Sequence, residues 1–284
     1  MTRWCSGWPA PAKINRFLRV LGRRSDGYHQ LQTLFQFIEP TDQLDFAVTA
    51  DPMVTREGGL PGLDPEADLA VRAARSLQRF AGVEQGVCIR LTKRIPAGGG
   101  LGGGSSDAAT TLVALNRLWE CRLPRSSLMK LALDLGADVP VFVAGEAAWA
   151  EGVGEELRPV TVDEPWLLVA DPGVAVDTGA VFRAMKLTRP GAQLTIRDFE
   201  AGAVGNDCES VVRQLHPAVG EALDVLGEQG PVALSGTGGC CFCRFDSRQA
   251  ASEAAERVGN RVATWLCRAS NRSPLLDRLS VVPS

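Results

Sequence analysis

Ile95-Pro96-Ala97-Gly98-Gly99-Gly100-Leu101-Gly102-Gly103-Gly104-Ser105-Ser106-Asp107 places six glycines in seven positions. Glycine brings no side chain to a core and loses more conformational freedom on folding than any other residue. Such a run makes sense where backbone must approach a ligand closely and point bare N–H groups at it. Gly86 to Ile95, just before it, reads as a strand, and Leu112, Leu115 and Trp119 after it mark the apolar face of a helix. The N-terminus of that helix then faces the same spot, where unpaired amides and the helix dipole favour an anion such as phosphate. Ser105 or Ser106 would cap the helix. A merely flexible loop is the competing reading, and the ordered elements on either side weigh against it.

Several phosphate-binding loops are excluded. No Gly-Lys-Ser/Thr follows the glycines, so this is not a Walker A loop. Gly98, Gly100 and Gly103 satisfy Gly-x-Gly-x-x-Gly through glycine density alone. The acid that a dinucleotide fold carries at the end of its next strand would have to be Glu120, which sits in the non-strand run Trp119-Glu120-Cys121-Arg122. His-Arg-Asp and Asp-Phe-Gly, the protein kinase signatures, are absent. A different ATP-binding loop is expected.

Three further segments carry chemistry. In Pro9-Ala10-Pro11-Ala12-Lys13-Ile14-Asn15, an extended strand points Lys13 and Asn15 to one face while Ile14 packs behind. A cation and an amide together suit an anion or a hydroxyl; a solvated edge lysine is the plain alternative. In Leu135-Gly136-Ala137-Asp138-Val139-Pro140-Val141-Phe142, Asp138 lies between a helix stop and what reads as an apolar strand. A partly buried carboxylate there is paired, catalytic, or simply a turn residue. Ser235-Gly236-Thr237-Gly238-Gly239 sets glycines and hydroxyls between two strands, where the chain could close over phosphate.

The remaining chain reads as mixed strands and helices without strict alternation, hence α+β. Lys13 to Leu21 and Tyr28 to Ile38 form a hairpin through the turn 22–27, and Gln43 to Thr49 is a further strand. Asp68 caps a helix carrying Leu69, Ala73, Leu77 and Phe80 on one side, and Ser126 or Ser127 caps another that stops at Gly136. The pattern restarts after Gly154, which suggests domains at 1–154 and 155–284. The second opens with strand Trp166 to Ala170 and closes with a helix (Arg248 to Val258) and a strand (Arg261 to Cys267).

The bulk properties fit a soluble globular protein. With 284 residues, 45% of them hydrophobic, the chain can bury a full core without staples. A net charge of −3 leaves no basic footprint for nucleic acid. No apolar run is long enough to span a bilayer, and Met1 to Trp8 lacks the apolar stretch of a signal peptide, so a cytoplasmic protein is expected. Of eight cysteines only Cys240, Cys241 and Cys243 cluster, without any Cys-x-x-Cys spacing, and these read as strand core rather than a metal site.

The four segments, in this order, resemble those of the GHMP kinases, the superfamily of galactokinase, homoserine kinase and mevalonate kinase. Within it the chain is most similar to the branch whose acceptor is a cytidine diphosphate-linked methylerythritol. That likeness rests on Pro11-Ala12-Lys13-Ile14-Asn15, Arg24-Ser25-Asp26-Gly27-Tyr28-His29, Leu31-Gln32-Thr33-Leu34-Phe35-Gln36, the glycine loop through Ser106, Gly136 to Phe142, Asn206-Asp207-Cys208-Glu209 and Ser235-Gly236-Thr237-Gly238. The resemblance implies an N-terminal ribosomal-protein-S5-domain-2-like ATP-binding domain and a C-terminal ferredoxin-like domain, with substrate between them. It implies ATP as co-substrate with Mg²⁺, no nucleic-acid or membrane partner, and a monomer or homodimer. Lys13 and Asp138 would be the catalytic pair. ATP would lie on Pro96 to Ser106, with Lys93 and the Asp68-Leu69 segment near adenine. Asn15, Tyr28, His29, Thr178 and Phe182 would hold the second substrate, Tyr28 stacking on the cytosine, His29 hydrogen-bonding to it and Phe182 covering its other face. The resemblance names no carboxylate for the metal; Ser106 is the one candidate ligand. Asp68 and Asp107 stand where asparagine also occurs in that branch. A kinase for mevalonate or homoserine, or a nucleotide sensor without chemistry, are the rival readings.

Overall fold

The computed structural model describes residues 3–25, 27–185, 192–202 and 205–281. Its first layer is a six-stranded sheet. Strands β1 (Cys5–Arg23) and β2 (His29–Thr49) form a long antiparallel pair, joined by β3 (Val54–Gly58), β4 (Gly86–Thr92), β5 (Ala148–Glu151) and β6 (Glu156–Pro159) in the order β3-β4-β2-β5-β6, with β1 also on β2. The hairpin arm and the Gln43 strand expected separately are one continuous β2. Pro40 does not break it because the β1 pairing jumps from Pro11–Thr41 to Ala12–Ile38, and a bulge tolerates a residue without an N–H. Asp26, in the expected turn, lies outside the described residues.

Four helices cover this sheet: α1 (Leu69–Ala81), α2 (Gly103–Leu118), α3 (Arg125–Leu135) and α4 (Val139–Ala144). The Asp68 carboxylate accepts from the Ala70 N–H at 2.8 Å and so caps α1 as expected. The buried stripe of α1 is Ala70, Val71, Ala73, Ala74 and Leu77, whose three alanines let α2 pack close, while Phe80 in the last turn is exposed. Two expected caps are corrected. Helix α2 starts at Gly103 behind Gly102 and has no side-chain cap, so Ser105 and Ser106 lie inside its first turn. Helix α3 starts at Arg125 after Pro124, ahead of Ser126 and Ser127. Val139 to Phe142, expected as a strand, is helix α4: Pro140 lacks an N–H, which suits a first helical turn, and Gly145 at φ 73° ends it.

The second layer is antiparallel. Strand β7 (Trp166–Asp171) leads through α5 (Thr178–Ala184), α6 (Ile196–Glu200), α7 (Glu209–Leu215) and α8 (Pro217–Gly227) to β8 (Val232–Leu234) and β9 (Cys241–Phe245). Helix α9 (Arg248–Val258) and β10 (Ala263–Arg268) follow, and the sheet order β10-β7-β9-β8 gives the ferredoxin-like connectivity. A last helix, α10 (Pro274–Val281), was not expected. It buries Leu275 in the core of the first layer, and Arg278 reaches back to the Ser6 carbonyl at 2.7 Å. Both α10 and β6 belong to the first layer although they lie beyond residue 154, so the expected division there does not follow the packing.

Each layer has its own apolar core, and a third cluster joins them. Ala12, Ile14, Ile38, Ile95 and Leu101 from the first layer meet Leu167, Val169, Cys240, Phe242 and Cys267 from the second. All three clustered cysteines are fully buried; Cys241 and Cys243 face the second core, whereas Cys240 faces the joint. Burial pushes the thiols of Cys241 and Cys243 up to about 12, as expected of inert core residues. An apolar joint of this size holds the lobes as one body and leaves a cleft along its edge.

Candidate active site

The cleft encloses a cavity of about 570 Å³ between the glycine loop, β1, α1 and α5. Lys93, Asp68, Leu69 and every loop residue from Pro96 to Ser105 line it, together with Lys13, Asn15, Asp138, Thr178 and Phe182. Ser106 is buried just behind, whereas Tyr28 and His29 are outside the lining.

Lys13 is 3% exposed and held by three acceptors. Its Nζ lies 3.1 Å from Asp138 Oδ2, 2.7 Å from Asn15 Oδ1 and 3.1 Å from the Gly100 carbonyl. Strand β1 explains the Asn15 partner: Lys13 and Asn15 share a face, opposite Phe37 and Phe35 of β2, while Ile14 points to the lobe joint. The ammonium also lies over the Phe35 ring at 5.2 Å. Asp138, just ahead of α4, is 37% exposed on its side chain and makes no capping bond, so its carboxylate remains open to the cavity. A buried lysine fixed on an open carboxylate can orient it and offset negative charge beside it.

The glycine loop is not a flexible segment. The Gly98 carbonyl accepts from Val176 and Gly239 N–H groups at 3.2 Å, and the Gly99 carbonyl accepts from Cys240 at 3.0 Å. At Gly100 (φ 75°) a Cβ would meet the Ser235 carbonyl oxygen at 2.0 Å and Gly238 N at 2.9 Å. These glycines are thus required for two backbones to touch across the lobe joint, a packing role that a reading based on ligand approach alone misses. Gly104 differs: a Cβ there would meet only Leu69 Cδ1, at an ordinary 3.5 Å. The first turn of α2, with no side-chain cap over its amides, lies on the cavity wall.

Beside that helix end, Lys93 bridges two carboxylates, Asp107 at 2.6 Å and the wholly buried Asp42. Asp42 also accepts from the Ile95 N–H at 2.9 Å, tying β2 to the entry of the loop. Burial, with Asp42 adding repulsion, pushes the Asp107 carboxyl up to about 7. Asp107 Oδ1 and Ser106 Oγ are both buried without a hydrogen-bond partner. Asp42 was missed from the sequence, because its polar neighbours Thr41 and Gln43 gave no sign that it would be buried. Asp68, for its part, has both oxygens engaged, by Ala70 N–H and by Arg56 at 2.6 Å, so its side chain serves the frame of the cleft.

At the hairpin tip the His29 and Phe182 rings stack on each other, centroids 4.8 Å apart and 19° between planes, so His29 covers that face of Phe182 in this arrangement. Burial and then Arg23 lower the His29 pKa, favouring neutral imidazole. Tyr28 is 65% exposed at the tip. Thr178 instead meets Thr237, hydroxyl to hydroxyl at 2.7 Å, both on the cavity wall. Gln32 and Gln36, from the Leu31-Gln32-Thr33-Leu34-Phe35-Gln36 stretch, are internal ties to Glu151 and to Arg16. Asn206 and Asp207 clamp the second layer to β1 and the Ser235 loop, through Leu234 and Gly236 carbonyls and Arg19.

An uncapped helix end opposite a lysine–carboxylate pair, between an α+β lobe and a ferredoxin-like lobe, defines a small-molecule kinase of the GHMP class. The models of the GHMP kinases N terminal domain and GHMP kinases C terminal match residues 68–146 and 193–264. A solved 4-(cytidine 5'-diphospho)-2C-methyl-D-erythritol kinase superposes with a TM-score of 0.80 at 35% identity, covering 95% of this chain and 99% of that one. A mevalonate kinase structure, 16% identical with a TM-score of 0.65 over 94% of this chain and 99% of its own, shares the fold. A 4-diphosphocytidyl-2-C-methyl-D-erythritol kinase of Halorhodospira halophila is 54% identical over 97% of this chain and 96% of its own length. The chain belongs to the 4-diphosphocytidyl-2-C-methyl-D-erythritol kinase family.

Proposed function

We propose that the chain transfers the γ-phosphoryl group of ATP to the 2-hydroxyl of 4-diphosphocytidyl-2-C-methyl-D-erythritol, giving the 2-phosphate and ADP in the non-mevalonate supply of isoprenoid precursors. The observation that carries it is Lys13 against the open Asp138 carboxylate at 3.1 Å, in the cleft that receives the bare end of α2. Asp138 accepts or orients the proton of the attacking hydroxyl. Lys13 holds Asp138 in place and offsets charge on the transferring phosphoryl. The α2 amides and Lys93 cradle the phosphate chain and neighbouring nucleotide, since phosphoryl transfer is mainly positioning and electrostatics.

Mg²⁺ bound with ATP would neutralise phosphate charge. No group of three or more His, Cys, Asp or Glu residues among the described ones could hold a metal by itself. The unpartnered Ser106 Oγ fits a role as one protein ligand to an ion held otherwise by the nucleotide. The cytidine end is assigned to the Thr178–Phe182 side of the cleft and the His29 hairpin, the rings parting to admit a base. No helix among the described residues is long and apolar enough to cross a membrane.

The test is ADP release with four acceptors: the cytidine diphosphate-linked methylerythritol, methylerythritol phosphate, mevalonate and homoserine. Turnover with the first alone is expected. Preference for mevalonate or homoserine would move the chain to another acceptor, and ATP binding without turnover on any of them would make it a sensor.

A further inference from the structure

Asn15, expected to contact substrate, is committed on both ends of its amide. Its Oδ1 accepts from Lys13 at 2.7 Å, and its Nδ2 donates to Thr33 Oγ1 at 2.9 Å. Thr33 lies near the start of β2, 1% exposed, between Leu18 of β1 and Ala150 of β5. Its hydroxyl donates in turn to the Phe17 carbonyl.

The direction of this chain is forced from both ends. A lysine ammonium has protons and no acceptor, so Asn15 must offer it oxygen. A backbone carbonyl has no proton, so Thr33 must spend its single proton on Phe17 and use a lone pair for the Asn15 amide. An asparagine amide can otherwise present either end. Here the threonine hydroxyl selects the oxygen-forward orientation toward Lys13. We propose that Thr33 is a positioning residue for phosphoryl transfer: acting through Asn15, it keeps an acceptor on the catalytic lysine and so fixes that lysine against Asp138. This rests on the reading of Lys13 and Asp138 as the catalytic pair.

Valine in place of Thr33 keeps the branched shape and removes both hydrogen-bonding functions. The Asn15 NH₂ then faces a methyl group, the amide is free to turn, and Lys13 loses its nearest acceptor. A hydrogen bond to a charged group of this kind corresponds to about tenfold to hundredfold in rate.

The experiment measures kcat and both KM values for Thr33→Val, Thr33→Ser, Asn15→Ala, Asn15→Ala/Thr33→Val and Asp138→Asn. Thr33→Val is expected to lose about tenfold to hundredfold in kcat with the KM for ATP within about twofold, and Thr33→Ser to restore most of it. In the Asn15→Ala background the valine should add no further loss, because its route to the lysine is already gone. Should the valine variant not fold, Thr33→Cys, with only a weak sulfur acceptor, is read the same way. Wild-type kcat in Thr33→Val, or a full additional loss on top of Asn15→Ala, would overturn the positioning role alone. Substantial turnover in Asp138→Asn would instead overturn the catalytic pair on which it depends.

Discussion

Gly100→Ala separates packing from phosphate binding within one loop. The new methyl would stand 2.0 Å from the Ser235 carbonyl oxygen and 3.0 Å from Gly238 Cα, on a backbone held at φ 75°. Both neighbours are main chain, so no side chain can swing aside. The left-handed conformation costs an L-residue about 1–2 kcal/mol. Overpacking adds about 1–3 kcal/mol. The sum, about 2–5 kcal/mol, lowers the melting temperature by roughly 5–15 °C for a chain of this size. Gly104→Ala is the matched control. Its methyl meets only Leu69 Cδ1 at 3.5 Å, inside a helix where alanine is favoured by about 1 kcal/mol. It should leave stability unchanged or slightly raised, yet weaken ATP binding by covering the amides that face the cavity. Thermal unfolding and ATP calorimetry on both variants decide the matter. A Gly100→Ala protein melting within about 2 °C of wild type would refute the packing role.

Other outcomes follow from the same geometry. Asp138→Asn should lose about 10²-fold or more in kcat while calorimetry still finds ATP bound, since a positioned proton acceptor is removed and the phosphate site is not. Asp107→Asn should change how stability depends on pH. The Asp107 carboxyl lies at about 7 in the folded chain against an ordinary 3.8, so the folded state holds the extra proton between those values. Its contribution is full below pH about 4 and is lost as pH rises to about 7, so the wild type should lose stability across this window relative to the variant, by urea unfolding at each pH. Phe182→Ala should raise the KM for the cytidine-linked acceptor by about tenfold to hundredfold with ATP affinity unchanged, the scale of one base–aromatic contact. An unaltered acceptor KM would place the base elsewhere.

What could be read from the sequence was what neighbouring residues decide among themselves. Lys13 and Asn15 share a face because strands alternate, and Asp68 caps α1 because an acid at that position accepts the next free N–H. What the sequence leaves out is what distant segments decide. The second role of the glycines, letting two backbones touch, depends on Ser235 and Gly238, which lie far along the chain. Val139 to Phe142 is apolar enough for a strand or a buried helix, and only Pro140, which a central strand cannot accommodate, argued for the helix. Asp42 and Thr33 gave no local sign of function, since each acts through a partner brought up by the sheet or the loop. The stacking of His29 on Phe182 likewise joins two lobes that no spacing rule relates.

The glycine seam and the lysine are mechanically one feature. The Gly100 carbonyl, placed by close contact with the second lobe, accepts from Ser235 Oγ at 3.0 Å and from Lys13 Nζ at 3.1 Å. Two donors on one oxygen use both its lone pairs, so displacing Gly100 removes an acceptor from the ammonium and a tie between lobes together. Lys13 is therefore aimed from two directions: from the first lobe through Thr33 and Asn15, and from the joint through Gly100. Any substitution that loosens the joint should lower turnover even when nucleotide still binds. A kinase that relies on positioning for most of its rate gains from tying its charged group to the same contacts that hold its lobes together.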